Sequence, residues 1–126
     1  MDRLEFDPTK SSPFVRFDPS TGVMEIGGES YPENSQEFFA PLLAWIQSFL
    51  ETQEGAAILK VTLTYMNTSS TKYMIEILDR LEEAHDQGRT VEVEWYCDAE
   101  NERELDTVEE LREDFEMPFE IKAREI

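Results

Sequence analysis

The sequence predicts a single α/β domain in which a mixed, mostly parallel sheet is opened by an antiparallel β-hairpin and packed with about three helices. Three observations predict it. From about residue 35 onward the apolar pattern switches repeatedly between helical spacing and strand alternation. Strands that alternate with helices need crossover connections, which favour parallel neighbours. Before that point, two short β-like runs are separated only by Asp18-Pro19-Ser20-Thr21-Gly22, and Pro followed by Gly in a polar run is hairpin chemistry. The length of 126 residues, with 40% apolar residues, eight Phe and two Trp, supports one packed core and is too short for two.

Taken in order, residues 1–13 are polar, carry Pro8 and Pro13, and read as a loose or edge-strand arm; residues 14–126 form the domain. Phe14-Val15-Arg16-Phe17 and Val23-Met24-Glu25-Ile26 are the hairpin strands, with Gly27-Gly28 expected to end the second. Phe38, Leu42, Trp45, Ile46 and Phe49 recur at helical spacing, and Phe39, Leu43 and Leu50 widen the stripe. Asn34 or Ser35 suits the N-cap, with Glu37 completing a capping box from Asn34. Pro41 lacks the amide that would bond back to Glu37, so a kink or a separate short first turn is expected there.

Gln53-Glu54-Gly55 closes this helix. Ala57 to Tyr65 is rich in β-branched residues and alternates from Leu59 to Tyr65, as a central strand should. Met74, Ile77, Leu78, Leu81 and Ala84 define an amphipathic helix ending near Gly88. Val91 to Tyr96 alternates again. Leu105, Val108, Leu111 and Phe115 mark a third helix with an acidic outer face, and Phe119, Ile121 and Ala123 a last strand.

Composition excludes several function classes. A formal charge of −18 repels nucleic acid and anionic membranes. The single cysteine, Cys97, rules out an internal disulfide framework and a Cys-based zinc site. The first residues lack a signal-peptide core and no segment reaches membrane-span length, so a cytoplasmic protein is expected.

The chemistry-bearing stretch is Leu63-Thr64-Tyr65-Met66-Asn67-Thr68-Ser69-Ser70-Thr71-Lys72, where a strand runs into a helix start. Such a junction offers free backbone N–H groups and a positive dipole end. A hydrolytic triad needs a base within about 3 Å of the nucleophile. The only histidine, His85, lies about fifteen helical positions from Ser70, or roughly 22 Å. Asp98-Ala99-Glu100-Asn101-Glu102 has carboxylates but lacks the glycine and the spaced bidentate Glu of a calcium loop. No catalytic residue, metal or cofactor is therefore assigned. Two readings of Thr68-Ser69-Ser70-Thr71 stay open: a helix cap contributing about 1 kcal/mol, or a phosphoacceptor beside a helix end that can hold the added charge.

Three segments, Ser30-Tyr31-Pro32-Glu33-Asn34-Ser35, Leu63 to Ser70, and Asn101-Glu102-Arg103, occur in an order that resembles the SiaC family of bacterial regulatory phosphoproteins. The similarity runs from about Gly22 to about Phe119. It implies a fold like that of the STAS-domain anti-sigma-factor antagonists, no enzymatic activity, and action by partner switching. A histidine-kinase-like ATPase acting as a Ser/Thr protein kinase would phosphorylate a threonine in Asn-Thr-Ser-Ser, which falls on Thr68. A PP2C-type phosphatase would remove the phosphate. The unphosphorylated form would bind and activate a diguanylate cyclase of GGDEF type, linking the switch to cyclic-di-GMP and biofilm formation. Asn67, Ser69 and Ser70 would flank the acceptor, and Tyr31, Pro32, Glu33, Asn34 and Ser35 would share the partner-facing surface. The alternatives are an anti-sigma-factor antagonist with a transcriptional output and a constitutive interaction module.

Overall fold

In the computed structural model, residues 1–124 are described. They form β1 (Leu4–Phe6), β2 (Phe14–Asp18), β3 (Val23–Ser30), α1 (Ser35–Thr52), β4 (Ala57–Met66), α2 (Thr68–Asp86), β5 (Val91–Asp98), α3 (Glu102–Glu113) and β6 (Phe119–Arg124). The strands make one six-stranded sheet in the spatial order β1-β2-β3-β4-β5-β6. The first three are antiparallel neighbours and the remaining pairings are parallel. This is the mixed, hairpin-opened α/β architecture that the sequence pattern predicts. None of the described helices is long and apolar enough to cross a membrane.

Because each crossover advances one strand in the same direction, right-handed connections place all three helices on one face of the sheet. The register agrees. Val15 pairs with Ile26, Ile26 with Val61 and Val61 with Trp95, and all four are buried. The alternate positions carry the opposite face: Arg16, Glu25, Lys60 and Glu94 are successive cross-strand partners. There Lys122 lies 3.1 Å and Lys60 3.9 Å from the Glu94 carboxylate. Those charges answer one another, so this face stays hydrated without a covering layer.

The N-terminal arm takes the edge-strand form: Leu4–Phe6 pairs with β2, and the Trp45 indole donates to the Asp2 carbonyl at 2.8 Å. Two expectations are corrected. Gly27-Gly28 does not end the second hairpin strand, which continues to Ser30. A Cβ on Gly27 would sit 2.2 Å from Thr62 Oγ1 and 2.8 Å from the Phe14 ring, so the glycine makes room for cross-strand neighbours inside the sheet. Pro41 does not set off a separate short first turn either: α1 runs without a break from Ser35 to Thr52. A mid-helix proline costs about 3 kcal/mol relative to alanine. Burial of Phe39, Leu42, Trp45, Ile46 and Phe49 on the same helix, at roughly 1.5–3 kcal/mol each, outweighs it. The buried stripe runs through Phe39, with Phe38 only half-buried beside it.

Candidate functional site

The site is built at the carboxyl ends of the parallel strands, where open α/β sheets gather their functional loops. The segment after β3, the β4–α2 junction and the start of α3 all lie at this end, so the three sequence segments singled out above occupy one end of the molecule.

The β4–α2 junction is tied down by hydrogen bonds that leave one hydroxyl aside. Asn67 caps α2, its Oδ1 accepting from the Ser70 amide at 2.9 Å. The cap is thus the asparagine before the hydroxyl run rather than Thr68, Ser69 or Ser70. Ser70 is fully buried; its hydroxyl donates to the Ser30 carbonyl at 3.0 Å and accepts from the Ser30 hydroxyl at 2.7 Å. The Ser30 carbonyl also accepts from the Asn67 amide at 3.0 Å. Ser69, half-buried, shares a hydrogen bond with Ser35 at 2.6 Å and donates to Asn67 Oδ1 at 3.2 Å. Thr71 donates back to the Asn67 carbonyl at 3.1 Å. Thr68, the first residue of α2, is exposed, and its hydroxyl has no hydrogen-bond partner among the described residues. Of four neighbouring hydroxyls, three are engaged and Thr68 alone has no partner among the described residues.

The segment 31–35 divides. Ser35, buried at the start of α1, meets Ser69. Tyr31 meets Tyr65 edge-on, with ring centroids 5.9 Å apart, and its amide donates to the Ser11 carbonyl. Pro32 is half-buried. Glu33 and Asn34 line a separate shallow depression with Phe6, Phe38 and Pro41, and Asn34 Oδ1 is occupied in capping α1 through the Glu37 amide.

Tyr65 is the residue that sequence reasoning missed. Alternation from Leu59 points it into the core, yet it is 52% exposed. The cause is a register shift: Gly28 pairs with Leu63 but Glu29 pairs with Tyr65, so Thr64 is an extra residue in β4. One extra residue reverses every later side chain, turning Tyr65 out and Met66 toward the core. The glycine opposite, Gly28, has φ +107°, and it is the one local signal that could have marked the irregularity.

Beside the junction, β4 and β5 part company. Their pairing stops at Val61 and Trp95, although both strands continue. The gap is a cavity of about 210 Å³ framed by β4, α2 and the first turns of α3. Asn101 caps α3 by accepting from the Glu104 amide at 3.1 Å, and Arg103 is exposed at the rim. Burial raises the Glu104 carboxyl above its ordinary range, the Asp98 backbone hydrogen bond pulls it back down, and the Asp98 charge adds to the rise. Cys97, fully buried at the end of β5, has its thiol pushed up to about 11, chiefly by burial and further by Glu104 and Glu109. Such a thiol is a packing group, not a nucleophile. His85 sits half-buried in the last turn of α2, the far end of the helix from Ser70. Among the described residues no group of three or more His, Cys, Asp or Glu side chains is placed to hold a metal.

Comparison with known proteins gives a consistent picture. The model for the SiaC family of regulatory phosphoproteins matches residues 6–124, extending the recognised similarity into the N-terminal arm. An uncharacterised protein of Pseudomonas aeruginosa (strain UCBPP-PA14) is 42% identical over 125 residues, covering 99% of each chain. Apo-SiaC from Pseudomonas aeruginosa superposes with a TM-score of 0.90 at 40% identity, covering 98% of this chain and 100% of that one. SiaC from the same organism, in a crystal structure of diguanylate cyclase SiaD in complex with SiaC, its activator, gives a TM-score of 0.94 at 43% identity, covering 96% of this chain and 99% of that one. The capped, hydroxyl-rich junction therefore sits in a fold shared over nearly its full length, and the chain belongs to the SiaC family of regulatory phosphoproteins.

Proposed function

We propose that this chain is a cytoplasmic partner-switching phosphoprotein that activates a diguanylate cyclase and is turned off by phosphorylation of Thr68. The observation that carries the site is the contrast among the junction hydroxyls: Ser70 is buried, Ser69 and Thr71 are hydrogen-bonded, and Thr68 is exposed without a partner among the described residues. A kinase needs an acceptor that can enter its active site without dismantling the substrate, and Thr68 meets that requirement. The effector class rests on the likeness to SiaC in complex with diguanylate cyclase SiaD.

The switch follows from charge and position. A phosphate adds about −1.5 to −2 charges at the first residue of α2. The free amides of the first turn and the dipole favour it there. Lys72, exposed one turn later on the same helical side, supplies a cation at the favourable i, i+4 spacing. The phosphate is thus held on a surface that also carries Tyr65 and Tyr31, and a partner that packs on those rings must desolvate it. A histidine-kinase-like Ser/Thr kinase writes the charge and a PP2C-type phosphatase erases it. Tyr31 and Tyr65 form the docking face, with Ser35, Asn67, Ser69 and Ser70 holding its backbone.

The test is phosphorylation by the cognate kinase with ATP, phosphopeptide mapping, and titration of the GGDEF partner. Phosphate on Thr68, lost binding in the phosphoprotein and in Thr68→Glu, and retained binding in Thr68→Ala are expected. Phosphate on Ser69 instead, or equal effector affinity for Thr68→Glu and wild type, overturns the reading.

A further inference from the structure

The two edges of the sheet are finished differently. β1 is three residues long and runs straight into Asp7-Pro8, the short, proline-ended form that discourages further pairing. β6, Phe119–Arg124, pairs with β5 alone and carries no proline, no glycine and no register shift. The ladder fixes which way its backbone faces. The Val93 amide donates to the Pro118 carbonyl, and the Ala99 amide to the Arg124 carbonyl. Bonding residues alternate along a parallel strand, so Glu120 and Lys122 also turn their backbone groups to β5. Phe119, Ile121 and Ala123 turn theirs to the open side, where no described strand receives them.

We propose that β6 pairs with β6 of a second copy of this chain, antiparallel about a two-fold axis at Ile121, joining two six-stranded sheets into one. The strand's own pattern selects both the occupant and the register. A two-fold at Ile121 sets Phe119 against Ala123, Ile121 against itself and Glu120 against Lys122. Every outward-facing residue then meets an outward-facing residue, as the hydrogen-bonded positions of an antiparallel ladder require. Glu120 and Lys122 fall at the non-hydrogen-bonded positions, where side chains come closest and opposite charges stabilise a sheet. On the helix side a large apolar residue faces a small one, and Phe119 and Ile121 are each only half-buried in the single chain. Moving the axis one residue either way keeps the backbone phase but sets Glu120 against Glu120, or Lys122 against Lys122. Like charges directly opposite destabilise a sheet, so both shifted registers lose.

An edge lysine usually discourages such pairing. Lys122, however, is drawn inward to Glu94 at 3.1 Å, and its ammonium has three donors, enough for Glu94 and the second copy's Glu120 together. The seam lies two strands from β4 and the Thr68 junction, so the dimer carries two open junctions and does not depend on the switch reading.

The experiment uses the full chain near physiological ionic strength, where the charge of −18 on each copy is screened beyond roughly 8 Å. Sedimentation equilibrium should show a reversible dimer. Amide exchange at Ile121 and Ala123 should slow at least tenfold from dilute to concentrated samples, while Glu120 and Lys122, already bonded to β5, change far less. Two exposed positions supply variants. Ala123→Pro removes an outward amide without touching the β5 ladder, and Glu120→Lys sets like charges across the seam. Each should weaken dimerisation at least tenfold while circular dichroism stays native. Lys122→Glu should fail to dimerise alone, yet pair with Glu120→Lys when the two are mixed, because one edge is then wholly basic where the other is acidic. A chain that stays monomeric when concentrated, or a dimer that neither Ala123→Pro nor Glu120→Lys weakens, overturns the proposal. A mixture of folded variants that stays monomeric overturns the register. Slowed exchange at Ile121 and Ala123 only when the effector is added would assign the edge to another protein and overturn the dimer.

Discussion

Removing the Ser70 hydroxyl is a sharp perturbation because the structure gives it two unequal bonds. It donates to the Ser30 carbonyl and accepts from the Ser30 hydroxyl, in a fully buried setting. In Ser70→Ala the carbonyl keeps the Asn67 amide as a donor. The Ser30 hydroxyl, however, becomes a buried donor with no acceptor, at a cost of about 2 kcal/mol within the usual range of ~1–3. Ser30→Ala is milder, about 1 kcal/mol, because the Ser70 hydroxyl still donates to the Ser30 carbonyl. The double variant leaves no orphaned hydroxyl, so its cost should fall short of the summed single costs by about 1 kcal/mol or more.

With an unfolding entropy of about 2.1 cal/mol/K per residue over 126 residues, Ser70→Ala should melt about 8 °C lower than wild type. Urea unfolding followed by tryptophan fluorescence measures all four proteins, and unchanged m-values confirm that stability alone has moved. Additive single costs would refute the reasoning, since they would mean that the two hydroxyls do not share a bond. Equal costs for the two single variants would refute the assignment of donor and acceptor.

Three other perturbations follow from the same geometry. Pro41→Ala restores an amide to a helix that is already continuous, so it should raise stability by about 1–3 kcal/mol in urea unfolding; a loss would mean that the proline ring's packing beside Phe38 outweighs the bond. Mild acidification should raise the melting temperature: burial, then neighbouring acids, raises Asp79 above its ordinary 3.8, and burial raises Glu104 above its ordinary 4.5, so their unfavourable charges are relieved as pH falls through the raised values. Below the ordinary range the trend reverses, because Glu94, lowered chiefly by its hydrogen bond from Lys122, and Asp18, lowered by Ser20, contribute stability that is lost as pH falls through their lowered values; a melting temperature that only declines from pH 8 downward contradicts this. Cys97 should resist maleimide in the native chain at pH 8 and react on unfolding, as mass spectrometry will read directly.

The junction was visible in the sequence because its signals are local. Asn34 and its Glu37 partner mark the start of α1 within four residues, and the shift from alternation to helical spacing marks the end of β4. The resemblance singled out Thr68, but local spacing alone could not separate it from three adjacent hydroxyls. That separation depends on Ser30 and Ser35, which lie some thirty-five to forty residues away in sequence and reach the junction only when β3 pairs with β4.

What the sequence by itself determined was the order and type of the elements, since periods of 2 and 3.6 are properties of neighbouring residues. It also gave the acidic character and the separation of the one histidine, His85, from the junction hydroxyls. Only the tertiary structure decided that Pro41 sits in an unbroken helix, that an inserted Thr64 turns Tyr65 outward, and that β4 and β5 separate beyond Val61 and Trp95. Each depends on a partner strand or core surface remote in sequence, where burial and register outweigh local preference. The Thr68 hydroxyl, unpartnered among the described residues, belongs to that second group: it is defined by what its neighbours have already bonded.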